Sequence, residues 1–212
     1  MTQLTRDIVM QSMSPTPWDF SNQVLYKLCE QYPAHTDTGE VLAKILLIGR
    51  VYAAAIERRK NKSDENKNDD FYIHTVAPAI QSSQIDDWLH HARSVEPGTK
   101  ESFTTLVNVH KNVTELFNNI SGLDKRSLAS KYLHFHVPTL FFIFDTRAVK
   151  AMHAFSHLLP RATRTEGIGD KEYRKFAEKC QYLVDLCKTS FGLKLLPRHI
   201  DNLLLRTHAT ET

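Results

Sequence analysis

The segment of the sequence most informative about chemistry is residues 113–155, which contains Lys125, Lys131 and Asp145. A lysine amine is a nucleophile only when it is neutral. That role therefore requires burial or neighbouring cations that lower its pKa from about 10.4. Asp145 equally suits the N-cap of a helix, and Lys131 equally suits a salt-bridged or solvated face. The residues alone leave both interpretations open.

Helices must position these residues. The periodicity predicts a helix over residues 100–120 and a tight connector over residues 121–124. A second helix follows from about Lys125 to His136, and Pro138 ends it. The more polar face of this second helix carries Ser127, Ser130, Lys131 and His134. An apolar run, Leu140–Phe144, then leads to Asp145, which we expect to cap the next helix.

This order of hairpin, proline, apolar run and Asp-capped helix resembles the helix-hairpin-helix DNA glycosylase superfamily, above all its 8-oxoguanine glycosylase branch. Residues 120–129 (ISGLDKRSLA) are similar to its hairpin motif, approximately L-P-G-x-G-x-K-x-A. Residues 138–149 (PTLFFIFDTRAV) are similar to its P-x-x-x-x-D-x-R/H-V pattern with a two-residue extension. Asp124 replaces the second glycine of the motif, and Arg126 stands at the lysine position counted from Gly122. Lys125 and Lys131 are therefore both candidates for the family's lysine.

The resemblance implies an all-α, multi-helix bundle with a helix-hairpin-helix element that binds DNA. It implies that Lys131 or Lys125 attacks the sugar of a flipped-out nucleotide and forms a Schiff base, while Asp145 stabilises the developing charge. If active, the protein would be a DNA N-glycosylase/AP lyase, a hydrolase of DNA repair that removes a damaged or modified base. Contacts to DNA would come from Gly122, Arg126, Ser127, His134, Arg147 and Lys150.

Two alternatives belong to other classes of protein. A non-enzymatic helical module could keep this architecture and bind nucleic acid or protein without chemistry. A metal-dependent enzyme could use His153 and His157, which are four residues apart on one predicted helix face. No Glu follows His153 as in HExxH, so we expect neither a metal nor another cofactor.

The rest of the chain is typical of a single helical domain over residues 18–208, after a polar N-terminal lead-in over residues 1–17. Residues 39–59 are apolar nearly all round, which predicts a helix at the centre of the core. Residues 60–70 (KNKSDENKNDD) predict a mobile charged loop. Residues 170–191 predict another helix, with Gly192 just after its end.

Charge and cysteine content bound the class of protein. The formal net charge of +3 excludes a highly basic nucleic-acid tail. The charge is unevenly distributed, because residues 122–212 contain 15 Lys and Arg but only 9 Asp and Glu. Cys29, Cys180 and Cys187 form no CxxC pair, which is typical of reduced thiols. No apolar stretch approaches the roughly 18 residues that span a bilayer, and the first residues lack the apolar core of a signal peptide. We therefore expect a cytoplasmic protein without a membrane partner.

Overall fold

The computed structural model describes residues 3–58, 68–159, 167 and 169–209, and within these ranges the chain contains helices and no strand. The all-α class is thereby confirmed. The helices are α1 (Arg6–Met13), α2 (Pro17–Gln31), α3 (Thr38–Val51), α4 (Asn68–Phe71), α5 (Ala77–Gln81), α6 (Ile85–Ser94), α7 (Lys100–Ser121), α8 (Arg126–His136), α9 (Thr146–Met152), α10 (Lys171–Phe191) and α11 (Pro197–Ala209). A π-helical turn (Tyr72–Val76) joins α4 to α5. No helix in the described ranges is long and apolar enough to cross a membrane.

Helix α8 lies at the centre of the molecule. It packs against α2, α3 and α7, and all of its residues from Leu128 to His136 are buried. The more polar face that carries Ser130, Lys131 and His134 is therefore buried, because three neighbouring helices pack around α8. Their polar atoms are hydrogen-bonded inside the protein, as buried polar groups generally are.

Helix α3 is shorter than the predicted helix over residues 39–59. It ends at Val51, and Ala53 takes up the left-handed conformation with φ of 50°. The chain then folds back on α3, so that a Cβ on Gly49 would lie 3.1 Å from the Cα of Ala55. A left-handed conformation costs a residue with a Cβ roughly 1–2 kcal/mol, which the surrounding packing must offset.

Short-range signals position several helix ends as expected. Asp145 and Asp170 cap α9 and α10 through their side chains, and Gly192 ends α10 in the left-handed region with φ of 71°. The polar lead-in, in contrast, contains α1, whose Val9 is buried and which packs on α11. Most of the charged segment, residues 60–67, lies outside the described residues.

Two packed helices joined by a short connector, here called the hairpin, lie where the sequence predicts two helices. Helix α7 ends at Ser121, Gly122 follows with φ of 70°, and α8 begins at Arg126. Glycine suits this position because it adopts a positive φ without a steric penalty. The function of this hairpin as a DNA-binding element stays a prediction.

Candidate functional site

A buried ion pair joins two residues that the sequence analysis singled out. The Nζ atom of Lys131 lies 3.1 Å from Oδ2 of Asp145, and the Lys131 side chain is only 2% exposed. The same Nζ donates a hydrogen bond to Oγ of Ser127 at 3.0 Å, one helical turn earlier on α8. The ring of Tyr52 lies beneath the charge, with its centroid 5.5 Å from Nζ.

The apolar run before α9 brings Asp145 to this lysine. Residues 140–143 are buried, and Oγ of Ser130 accepts the N–H of Phe144 at 3.0 Å. Asp145 then uses its two carboxylate oxygens separately. Oδ1 accepts the N–H of Ala148 as the cap of α9, at 2.9 Å, and Oδ2 accepts Lys131. The capping role and the ion pair therefore coexist in one carboxylate.

The electrostatics of the pair favour an ionised Asp145. Burial alone would raise the pKa of this carboxyl. The charge of Lys131, the capping N–H of Ala148, the hydrogen bond from Lys131 and the charge of Arg147 together outweigh burial and lower the pKa. The site therefore holds a fixed negative charge directly beside an amine.

Two cavities lie next to this pair, and each is lined by one hydrogen-bond partner of Lys131 but not by Lys131 itself. The first, here called the hairpin cavity, has a volume of about 540 Å³ and lies between the turn at residues 53–55 and the hairpin. Its wall includes Ser127, which is one of the two hydrogen-bond partners of Lys131. The guanidinium-bearing Arg58, the amine-bearing Lys125 and Thr146 also line it.

The second cavity, here called the carboxylate cavity, measures about 140 Å³ and contains Asp145, the other partner of Lys131. That volume holds a few water molecules or one small planar group. Its wall also contains Trp18, Tyr52, Arg147, Arg198 and Asp201. Ala53, whose backbone is left-handed, lines both cavities. Strained backbone of this kind is frequent at binding and catalytic sites.

Arg198 and Asp201 form a second charged unit in the carboxylate cavity. Arg198 lies at the first turn of α11 and binds Asp201 three residues later, as well as Oδ1 of Asp19 at 2.6 Å. Burial raises the pKa of Asp201 to about 6 although Arg198 opposes it, and the negative charge of Asp145 acts in the same direction as burial. The cavity therefore contains one carboxyl with a lowered pKa and one with a raised pKa.

The structure places the other predicted residues of the hairpin at its surface. Lys125 donates to the carbonyl oxygen of Arg58 at 2.5 Å. Arg126 contacts Asp124 at 3.0 Å and Asp170 at 2.6 Å, so it joins the hairpin to the cap of α10. Gly122 is exposed at the tip. Of the two candidate lysines, Lys131 is therefore the one that lies beside Asp145.

His134 requires a correction. It was expected to contact DNA from a polar face of α8, but it is completely buried. Its Nδ1 bonds the carbonyl oxygen of Phe141 at 2.8 Å, and its Nε2 bonds the hydroxyl of Tyr26 at 2.7 Å. Because a carbonyl only accepts, Nδ1 carries the proton and Nε2 accepts from Tyr26. This histidine joins α8 to α2 and to the apolar run, and no surface ligand reaches it.

Arg147 and Lys150, in contrast, are both exposed on α9. The two histidines considered for a metal do not share an α-helical face, because α9 ends at Met152 and His153 begins a 3-10 turn. Among the described residues there is also no group of three or more side chains that could hold a metal ion. A larger groove of about 680 Å³ between α6 and α7 contains none of the predicted site residues.

Tyr52, Arg198 and Asp201 were not among the site residues predicted from the sequence. Tyr52 lies within the long helix predicted over residues 39–59, whereas α3 ends one residue before it. Arg198 and Asp201 lie three residues apart on α11, a spacing that also suits an ordinary surface ion pair. Only the packing of α11 against α9 brings them beside Asp145.

Comparison with known proteins adds a family. A family model named HI_0787_N and described as an N-terminal domain matches residues 6–140. The chain belongs to the HI_0787_N family. Neither the curated proteins nor the solved structures that were compared gave a match. The HI_0787_N segment supplies Tyr52, Ser127 and Lys131, whereas Asp145 and Asp201 follow it. The candidate site is thus built from both parts of the chain.

Proposed function

We propose that this protein binds DNA and acts on a damaged or abasic nucleotide through Lys131 and Asp145. The observation that carries the proposal is the contact of 3.1 Å between the Lys131 amine and the Asp145 carboxylate, with one partner of that amine in the wall of each cavity. A nucleophilic amine needs a group that orients it and a space where a sugar carbon can approach. Ser127 and Asp145 orient the amine, and each of them lines one of the two cavities, which end one side chain short of Lys131 itself.

Both cavities contain cations that can contact a phosphate group. Arg58 and Lys125 line the hairpin cavity together with Asp124, and Arg147 and Arg198 line the carboxylate cavity together with Asp145 and Asp201. Phosphate groups are the usual partners of such cations in proteins that bind nucleic acids. Exposed Arg147 and Lys150 extend this positive surface along α9. A DNA backbone crossing the mouths of both cavities would bring one nucleotide towards Lys131.

In the proposed reaction, Asp145 orients the Lys131 amine by accepting a hydrogen bond from it. When a nucleotide occupies the site, the lone pair of this amine attacks the C1′ carbon of the sugar, and the bond from C1′ to the base breaks with its electron pair leaving on the base. Asp145 remains ionised and stabilises the positive charge that develops on the sugar. These roles follow from the ionised state of Asp145 and from its contact with Lys131.

A non-enzymatic binding module is the second candidate, and one observation favours it. Lys44 is also fully buried, and its Nζ donates to the carbonyl oxygens of Tyr32 at 2.8 Å and Ala34 at 2.6 Å. In that position the buried lysine closes the end of α2, and like Lys131 it lines neither the hairpin cavity nor the carboxylate cavity. This protein therefore does use a buried lysine structurally, and Lys131 could serve α8 and α9 in the same way.

Borohydride trapping on a duplex with an abasic site separates the two candidates. Borohydride reduces a Schiff base to a stable covalent adduct that is visible on a denaturing gel. We expect an adduct with the wild-type chain and its loss in Lys131→Met, which keeps the length of the side chain without its amine. Lys125→Met is the matched control, because Lys125 also lies at the hairpin but bonds a backbone carbonyl. Absence of an adduct from the wild-type chain would favour the non-enzymatic module.

A further inference from the structure

Two carboxyl groups from different helices share the carboxylate cavity. Asp145 precedes α9, and Asp201 lies in the second turn of α11. Both line a space of about 140 Å³, and Arg198, Tyr52 and Trp18 lie in the same wall. Arg198, on α11, also bonds Asp19 on α2. A group that enters this cavity therefore meets both carboxyls.

The two carboxyls have opposite surroundings. Asp145 has a lysine and a backbone N–H on its two oxygens. Asp201 is 6% exposed and contacts a single guanidinium, that of Arg198, which Asp19 also binds. Burial raises the pKa of Asp201 to about 6, whereas the pKa of Asp145 is lowered. Pairs of carboxyls whose pKa values are pushed apart in this way commonly divide the roles of proton donor and stabilising anion.

We propose that Asp201 is a further catalytic residue, the general acid that protonates the departing base. The inference rests on the proposed function, since it assigns the leaving-group side of the same reaction. The nucleobase would enter the carboxylate cavity beside Trp18, where the Asp201 carboxyl lies in the wall. Asp145 and Lys131 would act on the sugar side of the glycosidic bond.

Atoms and charges balance in this step. The bond between C1′ and the base nitrogen breaks, and its electron pair goes to the base. The carboxyl of Asp201 supplies a proton to that base and becomes a carboxylate. The lone pair of the Lys131 amine supplies the electron pair for the new bond to C1′. The resulting positive charge on the amine balances the negative charge on Asp201, so no oxidant or reductant is needed.

The pH dependence of Asp201 is set by several helices. The charged and titratable groups that act on it or are affected by it are Arg198, Asp145, Lys131, Arg147, Tyr26, Tyr52 and Cys180. The rate of base release should therefore fall as the pH rises through about 6, because the fraction of Asp201 that carries a proton falls. Asp201→Asn should lose this limb of the profile.

Two substrates distinguish the role of Asp201 from the role of Lys131. The first is a duplex with 8-oxoguanine, whose base must leave, and the second is a duplex with a preformed abasic site, which has no base to protonate. Asp201→Asn keeps the shape of the side chain, and we expect it to slow base release about 100-fold, the usual range for general acid catalysis. Adduct formation at the abasic site should fall far less. Asp185→Asn, an exposed aspartate on α10, is the matched control.

Each result decides the matter. Selective loss of base release with loss of the pH limb supports the general acid. If Asp201→Asn loses activity equally on both substrates, or on neither, Asp201 is not the general acid. The proposed function is unaffected by that result as long as the wild-type chain forms adducts at the abasic site. A wild-type chain that forms no adduct at the abasic site overturns both proposals. Thermal unfolding of Asp201→Asn and Asp201→Glu excludes misfolding as the cause, and the glutamate variant should recover part of the base release.

Discussion

Lys131 and Asp145 lie fourteen residues apart in the chain and form an ion pair of 3.1 Å between α8 and α9, with the lysine 2% exposed. Such a pair has a high cost if only one partner is removed, because the remaining charge stays buried without compensation. Asp145 and Ser127, the two side chains that bond the Lys131 amine, each line a cavity, and this makes the pair a candidate for chemistry. Because the pair is buried, it should contribute to stability whether or not it is catalytic.

Replacing Lys131 by Met should lower the free energy of unfolding by about 3 kcal/mol, the usual cost of breaking a buried pair. The double variant Lys131→Met with Asp145→Asn should recover part of that loss, because no unpaired charge is left. Urea unfolding at neutral pH measures both values. The exposed pair of Lys111 and Glu115 on α7 is the control, and Lys111→Met should change stability by less than about 1 kcal/mol. Equal effects at the two sites would contradict the burial of Lys131.

Acid should weaken the fold through buried His134. Burial lowers the pKa of His134 to about 4 from its ordinary 6.5, although the carbonyl of Phe141 opposes this shift. In the unfolded chain His134 therefore binds a proton below pH 6.5, whereas in the folded chain it stays neutral down to about pH 4. Stability from this group is present above pH 6.5 and is lost progressively down to pH 4, by about 3 kcal/mol.

The measurement is the slope of unfolding free energy against pH in this window. His134→Gln should reduce the slope, while exposed His157→Gln should leave it unchanged. The slope should not vanish, because burial also lowers the pKa of His35 and His110 to about 4. An unchanged slope in His134→Gln would show that this histidine is not the buried neutral group described above.

The left-handed turn between the cavities should respond to glycine in an unusual way. Ala53→Gly should leave stability unchanged or raise it by up to about 1 kcal/mol, because glycine adopts φ of 50° without a steric penalty. Ala43→Gly, within the regular part of α3, should instead lower stability by about 1 kcal/mol. Thermal unfolding compares the two variants. A loss at Ala53 as large as that at Ala43 would argue against the left-handed turn.

The exposed cations of α9 should contribute to DNA affinity in a salt-dependent manner. Replacing Arg147 and Lys150 by Gln should weaken binding to a duplex and reduce the slope of log affinity against log salt by about 0.9 for each phosphate that the variant no longer neutralises. Lys175→Gln on α10, where the lysine lies 3.9 Å from Glu172, is the control for net charge. A fluorescence anisotropy titration at several salt concentrations gives the slopes. Identical slopes for all variants would exclude α9 from the DNA surface.

Local signals explain what the sequence predicted well. Asp145 and Asp170 precede helices at preferred capping positions, and Gly192 follows one, so residues within a turn of each other determine these ends. The hairpin between α7 and α8 was also predictable, because Gly122 and Pro138 bound the second helix. These features require no knowledge of the tertiary structure.

Features that depend on distant contacts were predicted poorly. The sequence placed Lys131 and His134 on a more polar face of α8 without showing that α2, α3 and α7 cover that helix and supply partners such as Tyr26. The end of α3 at Val51 follows from the return of the chain over Gly49, which no local motif indicates. Asp201 is joined to Asp145 only by the packing of α11 on α9.

Peptide mapping of the borohydride-trapped adduct tests the central claim most directly. After trapping on an abasic duplex, digestion of both DNA and protein leaves a sugar remnant on the attacking amine, and mass spectrometry locates it. We predict that the remnant is on Lys131, in the peptide that contains residues 127–136. A remnant on Lys125 or on another amine, or no adduct at all, would contradict the assignment of Lys131 and Asp145 as the reactive pair.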